Sequence, residues 1–70
     1  LRLDRRTKMM YDDKHVFING EGFKVGGRDA VVLRQLADER VITVQKIKVL
    51  SADAKEALLD WASAGWLKSL

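Results

Sequence analysis

The chain has 70 residues, of which 47% are hydrophobic and 33% charged, and its formal net charge is +3. A chain of this size makes one domain and buries only about 60% of the surface that it exposes when unfolded. It contains no cysteine, which excludes disulfides and thiolate-bound metals, and no apolar run approaches the length that a membrane span needs. We therefore expect a compact cytoplasmic domain without membrane contact.

Positive charge is concentrated in the first part of the chain. Residues 1–28 contain seven Lys or Arg against four acidic residues, whereas residues 51–70 contain two against three. Residues 1–6 include three arginines and are predicted to be a solvated linker from a preceding domain, with residues 7–70 forming the domain itself. Because the chain opens at Leu1 and has no signal-like segment, it is predicted to be a fragment of a longer protein.

A β-hairpin is the clearest local feature of the sequence. Residues 15–18 and 21–25 flank Asn19-Gly20, a pair typical of a type I′ turn because both positions need a positive φ. A short strand is predicted before the hairpin, over residues 7–11. The register that this turn sets predicts one group of core-facing side chains, namely Val16, Ile18, Phe23 and Val25.

The opposite face of the hairpin carries a candidate contact patch. The same register places Phe17 over the bare backbone of Gly22, beside His15 and Lys24. An aromatic ring over a strand glycine is more often a stabilising feature of the sheet itself. A partly exposed aromatic beside a His and a Lys also suits protein binding. The candidate protein-contact residues are His15, Phe17, Lys24 and, near the C-terminus, Trp66.

The first helix is predicted to follow the Gly26-Gly27 break. It starts near Arg28 or Asp29 and runs to about Asp38. Its apolar side consists of Val32, Leu33, Leu36 and Ala37.

Residues 41–50 allow two interpretations. Their β-branched residues favour a strand, whereas Thr43 is a suitable N-cap for a short helix that places Val44, Ile47 and Leu50 on one side. The short helix is favoured, because a helix, short helix, helix sequence closes a compact core through short connections.

The last helical stretch, residues 51–67, has the strongest apolar period. Ser51 is a good N-cap, and Gly65 supplies a left-handed stop, after which Trp66-Leu67 returns to the core as a terminal strand or strand-like tail. The predicted apolar stripe consists of Ala54, Leu58, Trp61, Ala62 and Gly65.

This order of elements predicts an α+β, winged-helix-like fold, in which an N-terminal β-hairpin or meander precedes three helices. One histidine and no cysteine leave no two-His-one-carboxylate iron site, His₃ zinc site or Cys-His nucleophile. Asp12, Asp13 and His15 are more typical of an exposed turn than of a metal site. No catalytic, cofactor-binding or metal-binding residue is predicted in this chain.

A phosphate-binding loop is a weaker interpretation of the glycines before the first helix. Gly22 and Gly27 have the spacing of such a loop. Arg28 and Asp29 replace the Lys that reaches the phosphates and the hydroxyl that binds magnesium. A glycine break between strand and helix explains the stretch better.

The charge pattern disfavours DNA binding through the third helix. Asp53, Glu56 and Asp60 lie opposite its apolar stripe, on the face that would enter a major groove. Phosphates would be repelled there. Nucleic-acid binding through a basic wing is the alternative function, and its candidate residues are Lys8, Lys14, Lys24 and Arg28.

Several stretches together resemble the C-terminal winged-helix domain of the bacterial ribosomal oxygenases. They are His15–Glu21 with Phe23, then Leu33, Leu36–Asp38 and Arg40, then Leu58–Leu59, Trp61 and Gly65–Leu67. Such oxygenases are JmjC-type cupin enzymes that use Fe(II) and 2-oxoglutarate to hydroxylate an arginine of a large-subunit ribosomal protein. The resemblance implies a parent whose missing part holds the iron, the 2-oxoglutarate and a dimerisation segment.

For this chain the resemblance implies a non-catalytic accessory role. The domain would dock on the cupin and dimerisation part of the parent and help to contact the ribosomal protein substrate. A second likeness is to small winged-helix modules that hold a precursor peptide as an added strand. In that alternative the pairing edge is residues 7–11 or residues 21–25.

Overall fold

The computed structural model describes residues 1–69. Its elements, in chain order, are β1 (Arg2–Leu3), β2 (Met9–Tyr11), β3 (His15–Ile18), β4 (Glu21–Lys24), α1 (Gly27–Glu39), α2 (Val44–Lys48), α3 (Ala52–Ser63) and β5 (Leu67–Lys68). Strands at the N-terminus, three helices and a closing strand confirm the predicted α+β, winged-helix-like fold.

The strands form two antiparallel sheets. One has the order β2-β3-β4, and the other joins β1 to β5. In the β3-β4 hairpin Val16 pairs with Phe23 and Phe17 pairs with Gly22, which confirms the predicted register. Val16 and Ile18 are fully buried, so this side of the sheet is the core side.

The hairpin turn also positions the strand before it. Asn19 and Gly20 have φ values of 47° and 88°, as a type I′ turn requires. The side-chain oxygen of Asn19 accepts a hydrogen bond from the Lys8 N–H (2.9 Å), and the Asn19 N–H donates to the Lys8 carbonyl (2.8 Å). These bonds align β2 with β3, with Met9 opposite Ile18.

The prediction that residues 1–6 form a solvated linker is wrong. Arg2–Leu3 pairs with β5, and Leu3 is 3% exposed within the core. The Asp4 N–H donates to the Trp66 carbonyl (2.8 Å). The strand partner lies at the other end of the chain, where local composition gives no sign of it. That a further domain precedes this one stays a prediction.

Helix α1 begins slightly earlier than predicted. Gly26 is its N-cap and has no side chain to cap with, so neither Arg28 nor Asp29 takes that position. Asp29 lies in the first turn, and its carboxylate accepts hydrogen bonds from the Ser51 N–H (2.8 Å) and hydroxyl (2.5 Å). The start of α1 is thereby joined to the start of α3.

The end of α1 is fastened to the N-terminal segment. Arg40 follows the helix with a φ of 64°, and its N–H donates to the Leu36 carbonyl (2.8 Å). Its guanidinium donates to the carbonyls of Asp4 (2.9 Å) and Thr7 (2.8 Å). One side chain therefore satisfies two carbonyls in the connection between β1 and β2.

Residues 41–50 contain the short helix α2, so the helical interpretation is confirmed. The Thr43 hydroxyl accepts a hydrogen bond from the Lys46 N–H (3.3 Å), as the predicted N-cap should. Leu50 is buried and Ile47 is half-buried, but Val44 is 65% exposed. The spacing groups Val44 with Ile47 and Leu50, but Val44, as the first residue of so short a helix, faces solvent.

Helix α3 has the predicted cap, and its inner stripe is shorter than predicted. The Ser51 hydroxyl accepts from the Ala54 N–H (3.2 Å), and Gly65 has a φ of 84° beyond the last turn. Ala62, in the last turn of the helix, and Gly65, beyond its end at Ser63, are exposed. The stripe residues that are buried are Ala54, Leu58 and Trp61.

One core unites the two sheets and the three helices. Trp61 is its largest fully buried side chain, and its ring meets the half-buried Phe23 edge-on with 5.5 Å between centroids. The other fully buried large side chains are Ile18, Leu33, Leu36, Ile42 and Val16.

Candidate protein-contact surface

The outer face of the β2-β3-β4 sheet carries an apolar and aromatic surface. Met10 pairs with Phe17, and Phe17 pairs with Gly22, so these residues form one row across the three strands. Met10 is 67% exposed and Phe17 is half-buried. A Cβ added to Gly22 would lie 3.1 Å from the Phe17 ring, so the ring covers the glycine as the sequence predicts.

A histidine extends this row along β3. The rings of His15 and Phe17 are stacked with 5.8 Å between centroids, and Lys24 pairs with His15 across the hairpin. The structure therefore brings His15, Phe17 and Lys24 together, as their register requires. We call these three residues and Met10 the outer sheet face.

Asp12 holds the turn at one end of this face. Its carboxylate accepts hydrogen bonds from the backbone N–H groups of Lys14 (2.9 Å) and His15 (2.8 Å), and it lies 3.3 Å from the His15 ring Nδ1. The first of these bonds is the largest cause that holds the pKa of Asp12 below its ordinary value. The Asp12 carboxylate thus caps the turn in which it lies. Asp12 and Asp13 are exposed, so this stretch is the exposed turn that the sequence predicts.

Trp66 does not join the other candidate contact residues. It lies directly before β5, is half-buried and packs against the core. Its carbonyl accepts from the Asp4 N–H (2.8 Å) and the Thr7 hydroxyl (3.0 Å). Packing and hydrogen bonds within the domain account for the position of Trp66, and a binding role for this residue stays a prediction.

Met10 is a surface residue that sequence reasoning missed. Two adjacent methionines in β2 are both apolar, so composition does not tell which one faces the core. The register with β3 decides it, since Met9 pairs with the buried Ile18 and Met10 pairs with Phe17. Counting back from Phe17 through the short turn at residues 12–14 would have found it.

The candidate basic wing residues are all exposed but lie at separate places. Lys8 precedes β2, Lys14 lies in the β2-β3 turn, Lys24 ends β4 and Arg28 lies in the first turn of α1. They therefore come from four different segments of the chain. Their binding of nucleic acid stays a prediction.

The outward face of α3 is acidic, with one large apolar residue in it. Asp53, Glu56 and Asp60 are exposed, as predicted, and Leu59 is 69% exposed. Lys55 is exposed on the same helix. This surface differs in charge from the outer sheet face, which contains Lys24 and no carboxylate.

The part of the chain that the structure describes holds no group of three or more His, Cys, Asp or Glu side chains placed to bind a metal ion. Its helices are all too short and too polar to cross a membrane.

A three-stranded sheet with its hairpin, three helices and a closing strand define a winged-helix domain. A family model described as ROXA-like winged helix matches residues 1–68, and the chain belongs to that family. This match confirms the resemblance to the winged-helix domain of the ribosomal oxygenases. Searches among curated proteins and among solved structures found no match.

Proposed function

We propose that this chain is a non-catalytic accessory domain of an Fe(II)- and 2-oxoglutarate-dependent ribosomal-protein hydroxylase. Its role is protein contact, and its principal contact is with the cupin and dimerisation part of the parent protein. Iron and 2-oxoglutarate belong to that other part. Membership in the ROXA-like winged helix family supports the proposal, and the resemblance to the ribosomal oxygenases gives it its chemistry. A ribosomal substrate places this function in the cytoplasm.

The observation that carries the proposal is the exposure of Met10 beside Phe17. A flexible thioether next to an aromatic ring is the kind of adaptable apolar surface that protein interfaces use. Met10 is 67% exposed. Burying a methionine side chain fully contributes about 2 kcal/mol, so covering this residue favours docking by a useful amount.

Contact with the substrate protein is the second part of the proposal. Ribosomal proteins are basic, and the exposed carboxylates of Asp53, Glu56 and Asp60 give α3 the complementary sign. This acidic face lies on a different element from the outer sheet face. The domain therefore has separate surfaces for the parent and for a basic partner.

Nucleic-acid binding is the alternative, and the exposure of Lys8, Lys14, Lys24 and Arg28 favours it. The two functions differ in their response to salt, because phosphate contacts release counterions and apolar docking does not. Titration of the chain with a random-sequence DNA duplex, followed by Trp fluorescence at low and near-physiological salt, separates them. Binding that falls steeply with salt supports the alternative.

Docking through the outer sheet face is tested with two matched variants. Met10 and Leu59 are exposed to nearly the same extent, 67% and 69%, but lie on different surfaces. Hydrogen exchange of residues 8–18 is compared between this chain alone and the full-length parent. We expect slower exchange in the parent, and we expect Met10→Ser to abolish the difference while Leu59→Ser preserves it. Equal exchange in both proteins contradicts the proposal.

A further inference from the structure

One edge of the three-stranded sheet is open. β4 is the last strand in the order β2-β3-β4, and no other strand among residues 1–69 pairs with its outer side. The Val25 N–H donates inward to the Lys14 carbonyl (2.8 Å). Because backbone groups alternate along a strand, Phe23 also bonds inward, whereas the N–H and C=O groups of Gly22 and Lys24 point outward.

A groove of about 400 Å³ runs beside this open edge. Its walls are β4 with the residues that follow it on one side and α3 on the other, and Leu33 of α1 also lines it. The apolar side chains in the groove include Phe23, Val25, Ala57 and Trp61. This volume accommodates bulky aliphatic side chains.

From these features we infer that the chain binds an extended peptide as a fourth, antiparallel strand on the outer edge of β4. The backbone of the peptide bonds to Gly22 and Lys24, and its inward side chains enter the groove over Phe23 and Trp61. This site shares Lys24 with the outer sheet face but lies along the edge of β4, and it stands whether or not the proposed function is correct.

The charges around the groove define the peptide further. Asp53 lines its α3 side, so inward positions are apolar rather than acidic. Asp29 also lines the groove, but its carboxylate is already bonded to Ser51. On the outer face Lys24 is exposed, and it pairs best with an acidic side chain directly across the new strand. The peptide therefore alternates apolar inward residues with acidic outward residues.

The probe is the capped peptide Thr-Val-Glu-Val-Glu-Val-Thr with a fluorescent label, titrated up to about 1 mM, a limit that detects weak binding. In an antiparallel pair the residues opposite Lys24 and Gly22 form the hydrogen-bonded pairs, so the glutamates donate to β4. We expect N-methylation of both glutamates to abolish binding, and N-methylation of the first and third valines to preserve it. Retention of binding by the glutamate-methylated peptide overturns the inference, as does absence of binding.

Two variants of the chain provide the matched test. Lys24→Pro removes an outward N–H that the hairpin does not use, while Lys24→Ala keeps it. We expect the proline variant to lose binding and the alanine variant to retain most of it. In the unsubstituted chain, the amides of Gly22 and Lys24 should exchange about tenfold more slowly with peptide bound. Unchanged exchange at both amides overturns the inference even if a variant fails to fold.

Discussion

Asp4 shows how a single charged residue can be part of the core region of so small a domain. Its carboxylate lies 2.9 Å from the Lys68 ammonium and accepts a hydrogen bond from the Arg6 N–H (2.9 Å). The Lys68 contact is the largest cause that lowers its pKa from 3.8 to about 2. Because the folded-state pKa lies below the unfolded one, this group stabilises the fold above about pH 4 and loses that contribution as the pH falls toward 2.

The Asp4→Asn variant tests this pH dependence. It keeps an acceptor for the Arg6 N–H but loses the ion pair with Lys68. We expect its melting temperature to lie below that of the unsubstituted chain at pH 7, and the difference to shrink between about pH 4 and pH 2. Thermal unfolding followed by circular dichroism across this range measures it. A difference that stays constant, or that Asp60→Asn on α3 reproduces, contradicts the assignment.

At the scale of elements, the junction between α1 and α3 depends on Ser51. Its hydroxyl caps α3 at the Ala54 N–H, and the same hydroxyl and the Ser51 N–H bond to the Asp29 carboxylate. Ser51→Ala should cost about 1–2 kcal/mol of unfolding free energy, whereas Thr43→Ala, which caps only α2, should cost about 0.5–1 kcal/mol.

A double-mutant cycle separates the two roles of Ser51. If the Asp29 contact contributes, the costs of Ser51→Ala and Asp29→Ala in urea denaturation will not add, because both remove the same hydrogen bond. Strict additivity, or equal costs at Ser51 and Thr43, would show that the junction contributes nothing beyond the cap.

The elements that sequence reasoning predicts well are those whose signals are local. Asn19-Gly20 sets its own turn and hence the register of four residues on each side, and the caps Thr43 and Ser51 act on the next turn of helix. Periodicity groups Ala62 and Val44 with buried residues, yet both are exposed, because periodicity marks a face but does not tell where the helix stops covering the core. Met10 required a register between strands.

For the whole molecule, the least predictable feature is the closure of the two chain ends. The β1-β5 pair joins Arg2 to Lys68 and Leu3 to Leu67, so no window of local sequence contains both partners. The groove beside β4 is equally non-local, since its walls come from β4, α1 and α3. Loop closure over the full chain is entropically costly, and the core contact of Leu3 must offset it.

Leu3→Ala therefore tests whether the ends are part of the fold. Removing a fully buried leucine side chain should cost about 2–4 kcal/mol, a large share of the stability of so small a domain. Arg5→Ala, in the same segment but exposed, should change the unfolding free energy little. Urea denaturation of both variants gives the answer. If the two variants are equally stable, residues 1–6 behave as a linker after all.

The most direct test of protein docking through the outer sheet face uses its two methionines. Met9 is 8% exposed and Met10 is 67% exposed, so Met9 serves as an internal reference for the oxidation of Met10 by peroxide. In this chain alone we expect Met10 to form its sulfoxide about tenfold faster than Met9, since oxidation follows exposure. In the full-length parent, mass spectrometry should show the Met10 rate falling toward that of Met9. A Met10 rate that is the same in both proteins would show that nothing covers this face and would contradict the account.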